Sequence, residues 1–544
     1  MALPRPCAPP AAGAAAPSSA LSSPSAQAGK GCGILSVNDT YRIEASPDGS
    51  GGMPAVRALR KRFEVEYPDL LVLHAGDFLF PSFLSRSYKG EQMIDVLNQL
   101  DGGPGFDPRL IVTFGNHEFD DDRSSVLNAR LNQSAFRWVA SNIDFSRSGD
   151  GVPYVATHKV AKDLILPCGG FQVGIFGITT DVKKSPMVAE YRDPVESARA
   201  KTKELRERGA TLVVGLTHVD IETDERILAT LGAEGPDLIV GGHEHAKQTR
   251  SANGRSVFKA DADARTANLI EVTKGEKGPS VAHRWIDVRE PEVTEDPALK
   301  GVVDGWLSRQ AKEYCSQKMK APPDCLQEVL TTAKSKVVAE ELEIRRFETN
   351  LGDFIAEQML AAFAKEGAQI AFVNSGTLRL NRDIAAGTAI TREVVEELFA
   401  YAAPLRLIEI TGEQLFGVLA RATSGWTGQG HWLQIAGFAY KFDPKAGKVS
   451  NVTLLGDKPR AIAATDKIKA VVNSFLLDPS KGQDGYTMLS PSNVIDKLGP
   501  DLSAGPDLKQ IVVDALKRTE ATGLDLKVAG LICNTERPGL CLAQ

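Results

Sequence analysis

Five times in this chain a short, β-type apolar run breaks off into a cluster of metal-ligating or proton-carrying residues, and this repetition limits the fold more than any other feature. Gly33-Ile34-Leu35-Ser36-Val37 ends in Asn38-Asp39-Thr40-Tyr41, and Leu71-Val72-Leu73 leads to Gly76-Asp77. A third apolar strand precedes Gly115-Asn116-His117-Glu118-Phe119-Asp120. Leu212-Val213-Val214-Gly215-Leu216 ends in Thr217-His218, and Leu238-Ile239-Val240 in Gly241-Gly242-His243-Glu244-His245. Ligands of an open α/β sheet bind in the crevice beyond the carboxyl ends of its strands, so these five ends can converge on one site. One His or Asp after a strand is usually a satisfied polar residue or a helix cap. Here, however, four of the eight histidines sit in the clusters: His117, His218, His243 and His245. His74 reads as structural, and His158 and His283 fall in polar loops or edge strands.

The residue types suit two divalent cations roughly 3.5–4 Å apart that share a bridging carboxylate. Asp77 suits the bridge. Such cations lower the pKa of bound water toward about 7 and draw charge from phosphoryl oxygens. His117 then need not bind metal: beside a departing oxygen it stabilises transition-state charge, with Asp120 orienting its ring. The arrangement implies in-line attack of water on phosphorus with no covalent enzyme intermediate.

These clusters resemble those of the calcineurin-like metallophosphatases. With the C-terminal half, the chain resembles the two-domain 5′-nucleotidase family, which includes UDP-sugar hydrolases and 2′,3′-cyclic-nucleotide phosphodiesterases. The resemblance spans roughly residues 31–530. It implies an α/β fold: an N-terminal calcineurin-like metallophosphatase sandwich of two mixed β-sheets flanked by helices, plus a C-terminal α/β nucleotide-specificity domain. It also implies a first metal site of Asp39, the residue at position 41, Asp77 and His245, and a second of Asp77, Asn116, His218 and His243. The metals would be two divalent or mixed-valence ions of zinc, manganese or iron. One departure stands out: the family's first motif usually reads Asp-x-His, whereas this chain has Asp39-Thr40-Tyr41. A phenol has an unperturbed pKa near 10, so a cation must displace its proton, which a harder or more highly charged metal does best. Tyr41 is therefore read as an iron or manganese ligand, as a ring stacked nearby, or as the mark of a weakened first site.

In the second half, Arg345-Arg346-Phe347-Glu348-Thr349-Asn350-Leu351-Gly352-Asp353 opens an apolar-periodic helix running to about Ala364, with Asn350 or Asp353 as its cap. A buried-strand pattern over Ile370-Ala371-Phe372-Val373 ends in Asn374-Ser375-Gly376-Thr377-Leu378-Arg379. Gly430-His431-Trp432-Leu433-Gln434 and Gly482-Gln483-Asp484-Gly485-Tyr486 each place an aromatic beside glycine. Two such rings can sandwich a nucleobase, and arginines can fork onto phosphate or ribose oxygens. In order, Arg345, Asn374, Gly376 and Arg379 match the family's polar binding positions, and Trp432 and Tyr486 its two base-stacking aromatics.

At 544 residues the chain exceeds what one core supports, and 42% hydrophobic with 24% charged residues is ordinary globular usage. A net charge of −6 argues against a nucleic-acid polymer as partner. No apolar run approaches a membrane span, and no obligate protein partner is evident. Residues 1–30, rich in Ala, Pro and Ser, read as a disordered or processed leader. The expected organisation is then a metallophosphatase domain over 31–290, a linker over 291–335 with a helix around Pro297–Lys318, a substrate-binding domain over 336–530 and a tail over 531–544. Neither domain alone completes catalysis in that arrangement, so hinged closure is expected. Cys315 and Cys325, and Cys533 and Cys541, are spaced to close small disulfide loops, which favours a periplasmic or secreted protein. The leading expectation is a 5′-nucleotidase releasing nucleoside and phosphate from a small nucleotide. The alternatives are a cyclic-nucleotide phosphodiesterase, a nucleotide-sugar hydrolase, a sulfur-compound hydrolase on the same scaffold, and a catalytically silent nucleotide-binding protein.

Overall fold

The computed structural model describes residues 31–541 except 104, 148–154, 277, 291–292 and 427, so the expected leader over 1–30 lies outside the described residues. The strand Cys32–Val37 is buried along its whole length, which is why its sequence is apolar but for Ser36 rather than alternating. It lies inside a seven-stranded sheet, in the order Gly278–Asp287, Thr266–Gly275, Cys32–Val37, Leu71–His74, Leu110–Thr113, Arg137–Val139, Val160–Ala161. From Cys32–Val37 onward the neighbours are parallel, and the two long strands at the other edge are antiparallel. A six-stranded sheet follows the order Gln248–Ala252, Arg255–Lys259, Leu238–Gly241, Leu212–His218, Phe171–Thr179, Asp163–Cys168. It is parallel at its centre and antiparallel at both edges.

The two mixed sheets pack face to face. Ile34, Leu71, Leu73 and Ile111 from one meet Val173, Ile175, Val214 and Val240 from the other in a single apolar layer. The helices Met53–Glu66 and Glu91–Asn98 cover the outside of the first sheet, and Pro194–Glu207 and Ile221–Leu231 that of the second. This is the expected sandwich. A disulfide between Cys32 and Cys168 ties the two sheets together, a pairing that the loop spacings did not suggest.

A helix from Pro297 to Glu313 starts at Asp296, whose carboxylate accepts from the Ala298 and Leu299 amides. It continues as a wider turn over Tyr314–Met319, close to the extent expected, and the Cys315–Cys325 disulfide closes the loop beyond it. The expected linker is too long at its far end: Val329–Thr332 is a strand, paired antiparallel with Ala389–Thr391.

The C-terminal half holds two four-stranded sheets. One runs Leu405–Thr411, Lys467–Asn473, Ile370–Asn374, Leu433–Ala436, and the helix Asn350–Ala362 lies across it. The helix cap is neither Asn350 nor Asp353 but Thr349, whose hydroxyl accepts from the Gly352 amide. Asn350 is turned away and holds Val338 and Lys336. Gly352 is required there because a Cβ would come within 2.1 Å of Gln434 Oε1. The second sheet runs Arg460–Ala461, Lys448–Leu454, Phe438–Asp443, Ile532–Asn534. The residues expected as a tail thus supply a strand, parallel to Phe438–Asp443 and closed by the Cys533–Cys541 disulfide. Among the described residues no helix is long and apolar enough to cross a membrane.

Candidate metal centre and catalytic pair

The corners that follow the strands are backbone-strained at four of the seven residues expected to bind metal. Asp39, Asp77, His243 and His245 all have positive φ, at 52°, 59°, 96° and 59°. Such conformations cost a non-glycine residue on the order of 1–2 kcal/mol and persist only where the surroundings impose them. The surroundings are polar clamps. Glu118 accepts from the amides of Asp77, Phe78, Leu79 and Gly115, stapling two corners together. Burial, with the Asp77 charge beside it, holds its carboxyl above the usual range despite those amides. Asp39 Oδ2 accepts from the Asn38 side chain at 2.7 Å and the His243 amide at 2.9 Å. At Gly76 a Cβ would lie 2.6 Å from Gly115 N, so only glycine permits this approach.

The clamps aim the side chains at one another. Donor atoms of Asp39, Asp77 and His245 all lie within 4.8 Å of one another, and all three residues are buried. The Tyr41 hydroxyl sits among them, 2.7 Å from His245 Nε2, 3.2 Å from Asp77 Oδ2 and 3.3 Å from Asp39 Oδ1. Burial, then the charges of Asp77 and Asp39, holds this phenol well above its usual pKa. A cation at that point would oppose both carboxylate charges and favour the phenolate.

On the other side of Asp77, His218 gives Nδ1 to the Ala75 carbonyl at 2.6 Å, which leaves Nε2 facing Asp77 Oδ2 at 3.1 Å. The Oδ1 of Asn116 is buried without a hydrogen-bond partner. His243 stands edge-on to His218, 5.2 Å between ring centres, with Nε2 3.4 Å from Asp220 Oδ1. Buried carboxylates, imidazole nitrogens with an orienting acceptor behind them and an unpartnered amide oxygen form a donor set that fits divalent metal ions.

His117 lies beside this cluster with Nε2 4.0 Å from Asp77 Oδ2. Its Nδ1 bonds Asp120 Oδ2 at 2.9 Å, and Lys183 holds the other Asp120 oxygen at 2.9 Å. Burial works against charge on Asp120, but His117 and Lys183 hold its carboxyl far below the usual range. Tyr401, from the C-terminal half, donates to Asp120 Oδ2 at 2.7 Å. Burial, then the Asp120 charge, holds the Tyr401 phenol well above its usual pKa, so it remains a donor.

Of the residues expected to bind substrate, Arg379 reaches the centre. Its guanidinium lies 5.9 Å from the Tyr41 ring and 5.8 Å from the Tyr401 ring. Arg345 is buried against Glu341 at 2.7 Å, and Glu341 in turn bonds His245 Nδ1. Asn374 donates to Asp484 at 2.7 Å, and the Gly376 amide bonds the Gly430 carbonyl at 2.8 Å. The two aromatics expected to stack on a base are instead buried. Trp432 is 1% exposed and Tyr486 0%. The Trp432 indole donates to the Phe347 carbonyl at 3.1 Å, and the Tyr486 hydroxyl bonds the His431 carbonyl. Both rings belong to the apolar core of this half, so neither offers a face to a base here. Of the further residues at the site, Glu118 and Asp484 lie inside motifs legible in the sequence, whereas Lys183, Glu341 and Tyr401 carry no local signal.

A sandwich of mixed sheets with this cluster at its strand ends is a metallophosphatase. Residues 33–247 match the calcineurin-like phosphoesterase family, and residues 329–491 match the 5′-nucleotidase C-terminal domain. The chain therefore belongs to the two-domain 5′-nucleotidase family, metal-dependent phosphoric ester hydrolases of the calcineurin-like class. It is 26% identical over 513 residues to the trifunctional nucleotide phosphoesterase YfkN of Bacillus subtilis, covering 86% of this chain and 33% of that protein. The chain thus spans about a third of that relative's length. It is 22% identical to the human 5′-nucleotidase, with 84% of each chain covered. In structure it is similar to a 5′-nucleotidase precursor from Thermus thermophilus, with a TM-score of 0.77, 24% identity and coverage of 92% of this chain and 99% of that one.

Proposed function

We propose that this protein is a 5′-nucleotidase, hydrolysing nucleoside 5′-phosphates to nucleoside and phosphate, with zinc, manganese or iron as its metals. The observation that carries this reading is the position of Arg379, which extends from the nucleotidase C-terminal half to the rim of the metal cluster between Tyr41 and Tyr401. A guanidinium there suits the phosphate of a substrate whose remainder lies against the C-terminal half.

Asp39, Tyr41, Asp77 and His245 would hold one metal, and Asp77, Asn116, His218 and His243 the other. When bound, the metals supply an activated water and withdraw charge from the phosphoryl oxygens. Arg379 holds the phosphate in register, and His117, oriented by Asp120, stabilises the departing 5′-oxygen. Three disulfides among the described residues support a periplasmic or secreted location.

The test is phosphate release from AMP, 2′,3′-cyclic AMP, UDP-glucose and phenyl phosphate with metal added back. AMP is expected to be cleaved fastest. Faster cleavage of the cyclic or sugar nucleotide would reassign the substrate, and no cleavage of any would leave a silent binding protein.

A further inference from the structure

The carboxylate of Asp120 is held from both halves of the chain. Its Oδ2 accepts from His117 Nδ1 at 2.9 Å and from the Tyr401 hydroxyl at 2.7 Å, while Oδ1 accepts from Lys183 at 2.9 Å. The Tyr401 hydroxyl is also 3.2 Å from His117 Nδ1, and its ring lies 27° from the plane of the imidazole, with centroids 6.5 Å apart. Tyr401 immediately follows Phe399-Ala400, which are buried in the C-terminal half, so the backbone that carries the phenol is anchored away from the pair it contacts.

We propose that Tyr401 is a positioning residue for the His117–Asp120 pair, so that the C-terminal half completes the catalytic machinery of the N-terminal half as well as binding substrate. The proposal rests on the reading of His117 as the group that stabilises the departing oxygen. A carboxylate with three donors, two of them on ring-bearing side chains, is restrained from rotating. The imidazole bonded to it then keeps Nε2 turned toward Asp77 and the candidate metal cluster. Without the phenol, Oδ2 retains one donor, and the ring it orients gains the same freedom. Such a loss is felt most by a substrate whose leaving group needs help. A nucleoside 5′-alkoxide is a poor leaving group, whereas p-nitrophenolate leaves with little assistance.

Tyr401→Phe keeps the ring beside Arg379 and removes only the hydroxyl. Steady-state kinetics on AMP and p-nitrophenyl phosphate, for wild type, Tyr401→Phe and His117→Ala at matched metal content and checked melting temperature, test the idea. The expected result for Tyr401→Phe is a fall in kcat on AMP that exceeds the fall on p-nitrophenyl phosphate by about tenfold, as for a lost hydrogen bond to a charged group, with KM on AMP little changed. His117→Ala should show the same preference more strongly. Equal losses on the two substrates, a raised KM at constant kcat, or no loss at all would overturn the role of Tyr401, provided that His117→Ala keeps its leaving-group dependence. If His117→Ala shows none, or the wild type leaves AMP intact, the underlying reading of His117 fails and this proposal falls with it.

Discussion

His245 and Glu341 come from opposite sides of the connecting helix, yet His245 Nδ1 is hydrogen-bonded to Glu341 Oε1. The bond leaves Nε2 of His245 directed at Tyr41 and Asp39, so the orientation of a candidate metal ligand in the N-terminal half is set by a carboxylate of the C-terminal half. Burial opposes charge on Glu341, but Arg345 and His245 hold it well below the usual carboxylate range.

Outer carboxylates of this kind typically contribute about 10–100-fold to metal affinity. Glu341→Gln keeps the shape and removes the charge, and it should weaken binding of one metal equivalent within that range. Titration of the metal-free protein, read by calorimetry, gives the answer directly. Two sites of unaltered affinity would show that His245 is oriented without Glu341.

Tyr41 should behave as a ligand. Tyr41→Phe leaves the ring in its buried place and removes the oxygen that lies 2.7 Å from His245 Nε2. Metal content at the first site should fall, and a protein loaded with ferric iron should lose a visible phenolate-to-iron absorption band. Tyr41→His should restore occupancy by softer divalent ions. Unchanged stoichiometry, affinity and spectrum in Tyr41→Phe would remove Tyr41 from the first site.

Trp432 makes a prediction about stability rather than base recognition. Its indole is core, packed near Phe442 with ring centres 5.9 Å apart. Trp432→Ala should cost about 3–5 kcal/mol, the usual range for a large buried aromatic, and lower the melting temperature. Nucleotide and phenyl phosphate hydrolysis should then suffer alike at a temperature where the variant begins to unfold. Normal stability with a loss confined to nucleotides would reinstate the stacking role.

A buried carboxyl pair should set the alkaline limit of stability. Burial, then the charge of Glu348, raises Asp353 well above the usual carboxylate range. Glu348 accepts from the Leu531 and Ile532 amides, and Asp353 from the Ala529 amide, so together they anchor the final strand. A raised carboxyl binds its proton more tightly when folded. Its contribution is therefore complete below the ordinary carboxylate value and is lost as pH rises through the folded one. Asp353→Asn keeps an acceptor for Ala529 and cannot titrate, so the variant's melting temperature should decline less than the wild type's between neutral and alkaline pH. Parallel curves for the two proteins would show that Asp353 titrates normally.

The strand ends, and the candidate ligands gathered at them, are legible in the linear sequence. A strand buried on both faces is apolar over most of its length, and a polar cluster directly after it lies at the rim of a sheet. That logic placed Asp39, Tyr41, Asp77, Asn116, His117 and His218 near one another across 180 residues of chain. It equally exposed the motif residues of the C-terminal half. It does not reach what packs against a side chain. An aromatic beside glycine reads the same whether its face is covered or open, and only the core around Trp432 and Tyr486 closed them.

Which distant groups meet is written only in the packing of the folded chain. The Cys32–Cys168 bridge follows from two sheets stacking face to face, not from loop spacing. Glu341 on His245 and Tyr401 on Asp120 follow from how the two halves sit together, with no periodicity or motif at either residue. Local patterns record the burial and direction of one segment. Contacts between segments depend on relative placement, which is set by the summed packing of both halves and is written at no single position.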